Sequence, residues 1–418
     1  MIHLQHITRW LTLLALVASL LPNGLVISAK ADDLPIASSV TNVHPLNRRE
    51  QLLANAVHAL QQGKLDAALQ SIETLLRLQP NFRLAQLMQG DLLLAHAQAL
   101  DTFGNTSSNS PARNIQLNDL RAEARARLDT ILQPPPINSV PDNVLQLADD
   151  VRQVLLVDTS TSRLYLFENQ NGLPHYLADF YVSIGKNGAI KQREGDDRTP
   201  LGIYRITGRL HSHALTAIYG PEAFPLNFPN DWDERLHKSG HGIWLHGTFT
   251  GTFSRPPHAS DGCVVLNNND LETLSAKLSP QNTIVVITDH INWISPETAI
   301  ERRTQFAQQI SDWQHDWESL NINHYASHYA DDFTAGDKPY SRWLAEKRQI
   351  NNGKRWIQVK FEHMSLYAYP GQKNLYLADF MQDYSSNNLS DVTHKHLYWT
   401  QHDEQWKIVA EYVTKTKD

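Results

Sequence analysis

The 418 residues contain a single cysteine, Cys263, so an intramolecular disulfide is excluded and so is any metal centre built on several thiolates. No histidine pair at ligand spacing stands near that cysteine, so neither a metal nor a cofactor is expected. The chain also lacks an excess of charge of one sign: 37 Lys and Arg stand against 44 Asp and Glu, a net charge of -7. Without a basic block there is no electrostatic footprint for phosphate backbones, and nucleic acid is excluded as a partner. Long apolar runs are missing as well. The one candidate, Trp10 to Leu21, is shorter than the roughly 20 residues a bilayer demands.

That run follows His3, His6 and Arg9 and precedes the small-residue triplet Ala29-Lys30-Ala31, the order of a secretory signal cut after Ala31. Residues 1–31 are therefore expected to direct export, with an uncleaved anchor as the alternative, and no membrane span is expected once the signal is removed. A lone thiol is a liability in an oxidising compartment, so its presence hints at chemistry, against the plainer reading of a buried, inert cysteine.

Residues 32–47 read as a linker. From residue 48 to 133 apolar residues recur at helical spacing (Leu52, Leu53, Ala56, Leu60, then Leu65, Ala68, Leu69, Ile72), with a break at Gly63 and Pro80 closing the second helix. Further helices are expected over Leu84–Ala99 and Leu117–Leu132. The region resembles a tetratricopeptide repeat but holds only one and a half units, and an array needs about three to stand alone. It is expected to pack against its neighbour, with recruitment of a protein partner as the alternative.

Pro134-Pro135-Pro136 marks a boundary, after which the period falls to two. Strands are predicted at Val154–Leu156, Leu164–Phe167, Phe180–Ile184, Gly202–Thr207, Gly242–Leu245 and Thr283–Thr288, making 151–290 a mostly-β unit. Residues 296–418 combine a long helical stretch through Phe306, Trp313, Trp317 and Tyr325 with aromatic strands at Trp356–Phe361, Leu375–Phe380, His394–Trp399 and Trp406–Tyr412. That order resembles the nuclear-transport-factor-like (NTF2-like, SnoaL-like) α+β cone. The fold class expected is thus multidomain α+β: helical, then mostly β, then a cone.

The chemistry is expected in Gly242-Ile243-Trp244-Leu245-His246-Gly247 and Ser260-Asp261-Gly262-Cys263. A free thiol titrates at about 8.5 and requires a base to act as a nucleophile. His246, leaving a strand and followed by glycine, suits that role better than His213, His241 or His258. Gly262 lets backbone approach a substrate, amides near Gly262 and Cys263 are candidate oxyanion donors, and Ser260 and Asp261 are expected to hold the turn or orient the histidine. Arg255 and Lys186 are candidates for binding substrate carboxylates.

These residues resemble the L,D-transpeptidase, or YkuD-type, catalytic domain, whose signature is His-Gly followed by Ser-x-Gly-Cys. The resemblance spans roughly residues 151 to 290 and includes Ser183-Ile184-Gly185-Lys186 and Thr199-Pro200-Leu201-Gly202. It implies Cys263 as nucleophile and His246 as base, with Gly247, Ser260 and Gly262 in support. Asp261 and Val265 replace residues common in the family. Together with Phe224 to Asn230, which brings in Asn227 as a substrate-side candidate, they resemble a subgroup related to helical-cell-shape L,D-carboxypeptidases with a C-terminal NTF2-like domain.

The resemblance implies a periplasmic enzyme acting on peptidoglycan stem peptides. Thiolate attack at the L-centre of diaminopimelate in a tetrapeptide would expel D-Ala and leave a thioester. Passage of the thioester to an amine, a 3-3 cross-link (transpeptidase), is the expected outcome, with passage to water, which trims the stem to a tripeptide (carboxypeptidase, cell-shape control), as the alternative. A non-catalytic wall-binding scaffold is the competing class.

Overall fold

The computed structural model describes residues 48–100, 102–104, 111–402 and 405–415. The expected signal (1–31) and linker (32–47) lie outside them. No helix among the described residues is long and apolar enough to cross a membrane.

The described residues open with four helices, α1 (Arg48–Gln61), α2 (Leu65–Leu78), α3 (Arg83–Ala95) and α4 (Pro111–Leu132). The break at Gly63 falls where the sequence places it, because that residue adopts φ +70°, a conformation glycine takes without strain. The apolar stripe closes on itself through Leu53, Ala68, Ile72, Leu75, Ala85 and Met88 and reaches Phe253 of the central region. Packing thus buries much of the apolar face of these helices, while Leu78, Leu93 and Leu94 stay exposed. Phe82 lies 4.6 Å from Phe253 between ring centroids, and the Leu84 amide donates to Ser254 Oγ at 3.1 Å. A buried ion network does the same with charge. Arg127 of α4 pairs with Glu50 of α1 and Glu123, and Glu50 also faces Arg163 of the central region at 3.4 Å, which in turn pairs with Asp179.

Two short strands follow, β1 (Val140–Pro141) and β2 (Val144–Gln146), in a stretch the sequence leaves between units. Next come β3 (Gln153–Asp158), β4 (Arg163–Gln170), β5 (Leu173–Tyr181), β6 (Ile184–Gly185), β7 (Gly202–Arg205), β8 (Leu210–His211), β9 (Glu222–Pro225), α5 (Asp231–Arg235), β10 (Trp244–His246), β11 (His258–Ser260), β12 (Val264–Val265), α6 (Asn268–Ser275), β13 (Thr283–Thr288) and β14 (Trp293–Ile294). Five of these strands form a sheet of order β5-β4-β3-β13-β7 and four form another, β12-β10-β9-β8.

The five-stranded sheet is apolar on both faces, which explains its unbroken hydrophobic runs. Leu155, Val157, Leu164 and Leu166 point into the core shared with the four-stranded sheet and α6. Their neighbours Val154, Leu156, Tyr165 and Phe167 point the other way, onto Tyr367, Leu377, Tyr398 and Val409. Because side chains alternate along a strand, one run of four serves two cores.

The second of those cores belongs to the C-terminal part: α7 (Pro296–Glu318), α8 (Ile322–Ser327), β15 (Tyr329–Ala335), β16 (Lys338–Pro339), α9 (Tyr340–Asn352), β17 (Ile357–Ala368), β18 (Leu375–Ser386), β19 (Leu389–His402) and β20 (Gln405–Lys415). Its sheet has the order β16-β15-β20-β19-β18-β17-β2. The strand β2 thus crosses from the presumed boundary to the far edge of the C-terminal sheet, and β1 pairs antiparallel with β14. Sequence boundaries at 151 and 296 miss both, since two- and three-residue strands carry no readable period. The other face of this sheet packs on α7, α8 and α9 through Phe306, Trp313, Trp317, Tyr325, Trp343, Phe380 and Trp399. Most aromatics of the cone are core, while Trp356 is exposed.

Candidate functional site

The strand β10 runs parallel to β12, with Leu245 opposite Val264 and His246 opposite Val265. Continuing that register puts Cys263, the residue before β12, level with Trp244, and side chains two apart on a strand share a face. His246 and Cys263 therefore lie on the same side of the sheet, one step apart.

The turn carrying Cys263 is closed by Ser260. Its hydroxyl donates to the Cys263 carbonyl at 2.6 Å and accepts the Gly262 amide at 3.2 Å. Gly262 sits at φ +125°, where a side chain is strained, and a Cβ there would come 2.7 Å from the Arg198 carbonyl oxygen. Thr199, fully buried, donates to the Gly262 carbonyl at 2.9 Å and accepts the Gly185 amide at 2.9 Å. The Lys186 amide reaches the Ser260 carbonyl at 2.7 Å, and Ser183 exchanges two backbone bonds of 2.9 Å with Val265. The Thr-Pro-Leu-Gly and Ser-Ile-Gly-Lys stretches are thus the scaffold of the cysteine turn. This supplies the physical reason for their presence in the sequence.

Two further expectations change. The Gly262 amide is engaged by Ser260, which leaves the amide of Cys263 as the oxyanion candidate in the turn. Neither Ser260 nor Asp261 orients the histidine. Instead, His246 Nδ1 lies 2.7 Å from the Gly247 carbonyl oxygen. A carbonyl only accepts, so Nδ1 carries the proton of the neutral ring and Nε2 is left with its lone pair. Gly247 is held in turn by its amide bond to the Tyr219 carbonyl at 2.9 Å, and a Cβ there would collide with Asn268 Oδ1 at 2.4 Å. The ring of Tyr219 stands edge-on to His246, 4.9 Å between centroids. Tyr219 and Asn268 carry no motif and are invisible to sequence reading.

Burial governs the titration of both groups. It lowers His246 to about 4, with the nearby Arg255 charge acting in the same direction against the Gly247 bond. It raises the Cys263 thiol to about 11, outweighing the Trp244 amide, which donates to Sγ at 3.4 Å. The thiol proton is directed at the Gly242 carbonyl, also 3.4 Å away. Both shifts favour the neutral thiol and the neutral imidazole in the free enzyme.

Of the other histidines, His241 is exposed beside Glu194, His213 stacks on His211, and His258 Nδ1 faces the Gly185 carbonyl at 3.4 Å. Lys186 is bound by Asp261 at 2.9 Å and Asp197 at 3.2 Å, so much of its charge is answered. Arg255 donates to the Ala259 carbonyl through Nη2, while its buried Nε has no hydrogen-bond partner. Asn227 has another task than binding substrate. Its Oδ1 accepts the Arg205 amide at 2.6 Å and its own amide donates to the Arg205 carbonyl at 3.2 Å.

This arrangement is that of an L,D-transpeptidase catalytic domain: residues 152–287 match the YkuD family model, and residues 305–412 match that of the Cds6 C-terminal NTF2-like domain. The chain thus contains a catalytic domain of the L,D-transpeptidase type, a family that acts on peptidoglycan, followed by an NTF2-like domain. Among solved structures, Bd1075 from Bdellovibrio bacteriovorus is 27% identical, with a TM-score of 0.59 over 67% of this chain and 99% of its own. The helical cell shape determining protein Pgp2 from Campylobacter jejuni is 25% identical, with a TM-score of 0.55 over 65% of this chain and 95% of its own. No curated protein matches the chain.

Proposed function

We propose that Cys263 is the nucleophile of an acyl transfer on peptidoglycan tetrapeptide stems and His246 its general base. The sulfur attacks the carbonyl at the L-centre of diaminopimelate, the thiol proton passes to His246 Nε2, and the imidazolium then protonates the departing D-Ala amine. A thioester remains on Cys263. What supports this reading is the 2.7 Å contact of His246 Nδ1 with the Gly247 carbonyl, which commits Nδ1–H and leaves the Nε2 lone pair free on the face of the sheet that carries Cys263.

A neutral resting pair suits a thiol exposed to an oxidising compartment, because only the thiolate reacts readily. Rotation of the Cys263 side chain away from Gly242 redirects its proton when substrate arrives. The Cys263 amide is assigned to the developing oxyanion. Arg255, with an unpartnered buried Nε, is the stronger candidate for a stem-peptide carboxylate than the doubly paired Lys186. Residues 1–31 are proposed to export the chain to the periplasm, where its substrate lies.

The acceptor distinguishes two outcomes, cross-linking by a stem amine or trimming by water. The likeness to a cell-shape determinant across both the catalytic and NTF2-like parts favours trimming, an L,D-carboxypeptidase outcome. Incubation of the purified chain with tetrapeptide muropeptides, followed by mass analysis, tests this. Monomeric tripeptide is the expected product. Dimers with a 3-3 link would reverse the choice of acceptor, and unchanged tetrapeptide would remove the enzymatic reading.

A further inference from the structure

The seam between the five-stranded sheet and the NTF2-like sheet contains a cluster of polar residues that the acyl transfer does not use. On β19, His394 and His396 are two apart and share a face, and the register of β18 with β19 sets Asp379 directly opposite His396. One ligand atom from each of the three lies within 4.8 Å of the others. Asp379 Oδ1 is 2.5 Å from His394 Nε2 and 3.7 Å from His396 Nε2. We infer that Asp379, His394 and His396 form a binding site for a divalent first-row transition ion of the zinc class.

Three features separate this cluster from an ordinary ion pair. The first is the ligand set: two imidazoles and one carboxylate on one face is a donor set that such ions favour, with positions left open. The open side gives onto a cavity of about 310 Å³, lined by His394 and Asp379 together with His363, Ser365, Arg205 and Thr414. Next is the outer support. The other nitrogen of His396, Nδ1, is 2.5 Å from Asp231 Oδ2 of α5, and that carboxylate fixes the ring with Nε2 aimed at the site, as the partners of metal-bound histidines do. Arg205 Nη2 holds the second oxygen of Asp379 at 2.5 Å, so Oδ1, which meets His394 Nε2 in the ion-free chain, is the oxygen that would turn to the ion.

The third feature is charge. Two carboxylates, Asp379 and Asp231, stand against one guanidinium, Arg205, so with neutral imidazoles the cluster carries a net negative charge that attracts a divalent ion. The three ligands belong to the C-terminal sheet, while Arg205 and Asp231 belong to the catalytic part, so the ion would fasten the seam. Sequence reading, which looked for ligands near the cysteine, passed over His394 and His396 because their third partner lies on another strand.

The test uses the full chain stripped with a chelator, cobalt(II) as optical probe and zinc(II) as competitor. The expected result is one cobalt per chain with d–d bands and no sulfur charge-transfer band, displaced by one equivalent of zinc. His394→Gln and His396→Gln should each weaken binding at least about tenfold, and Asp231→Asn about tenfold to a hundredfold. His58→Gln, on α1 and outside this cavity, should leave it unchanged. Proton release by the wild-type chain, read in two buffers of different ionisation enthalpy, should grow from pH 8 to pH 6 and needs no variant to fold. Absence of stoichiometric binding, a sulfur band placing the ion on Cys263, or undiminished binding in both histidine variants would overturn the site.

Discussion

The guanidinium of Arg127 lies 4.0 Å from the ring centroid of Tyr181, so the last N-terminal helix sits directly on the strand that leads into the Ser-Ile-Gly-Lys stretch. Tyr181 passes the contact on, its hydroxyl donating to the Arg255 carbonyl at 2.9 Å. The helical region thus braces the loop between His246 and Cys263.

Replacement of Arg127 by Met should be costly. It leaves Glu50 and Glu123 buried beside an apolar group, a loss of about 3–5 kcal/mol for breaking one side of a buried ion pair. Thermal denaturation checks this, and limited proteolysis should show cleavage appearing in the 248–258 loop. A variant as stable as the parent, with its loop still protected, would contradict the bracing role.

Ser260→Ala should separate activity from stability. The hydroxyl links the Cys263 carbonyl to the Gly262 amide, so its loss costs about 1–3 kcal/mol and frees the turn to move. We expect kcat/KM to fall at least tenfold with the chain still folded by circular dichroism. Full activity in this variant would show that Thr199 alone fixes the turn.

Alkylation of Cys263 should depend steeply on pH. Burial raises the thiol from an ordinary value near 9 to about 11, so at any pH between 6 and 9 its thiolate fraction is below that of a free cysteine. Reaction with iodoacetamide is expected to be about a hundredfold slower than for a free thiol at pH 7 and to climb about tenfold per pH unit. Intact-mass time courses provide the rates. A plateau at neutral pH would instead reveal a thiolate–imidazolium pair.

Much of this was legible in the sequence, and the residues show why. Leu164-Tyr165-Leu166-Phe167 announces a strand, because a short apolar run with β-forming residues is bounded on both sides by turn residues, Asp158 to Ser162 and Asn169 to Gly172. The Gly262-Cys263 turn is equally readable, since glycine is what φ +125° allows. The histidine's orienting partner was not legible: a Gly247 backbone carbonyl has no side chain to spell it. The neutrality of the pair was hidden too, because it follows from burial, which is set by packing. The helix α9 was missed because only Trp343 is fully buried, with Tyr340 and Leu344 packed beside it in the first turn and a half, and apolar contacts confined to one end make no stripe along a helix.

The cations near the turn should behave differently. Arg255→Gln is expected to raise KM for a stem peptide about tenfold, in keeping with loss of one charge-assisted contact of roughly 1.5 kcal/mol. Lys186→Ala, removing a group already answered by Asp261 and Asp197, should change KM less than about threefold. The opposite ranking in steady-state kinetics would exchange their assignments.

The central claim is that the sulfur of Cys263 carries the acyl group, and intact-mass spectrometry of the enzyme quenched during turnover of a tetrapeptide substrate measures it directly. The wild-type chain should show an adduct equal to the stem minus D-Ala, labile to hydroxylamine and localised to Cys263, while Cys263→Ala shows no adduct and releases no D-Ala. Release of D-Ala by Cys263→Ala at the wild-type rate would contradict it.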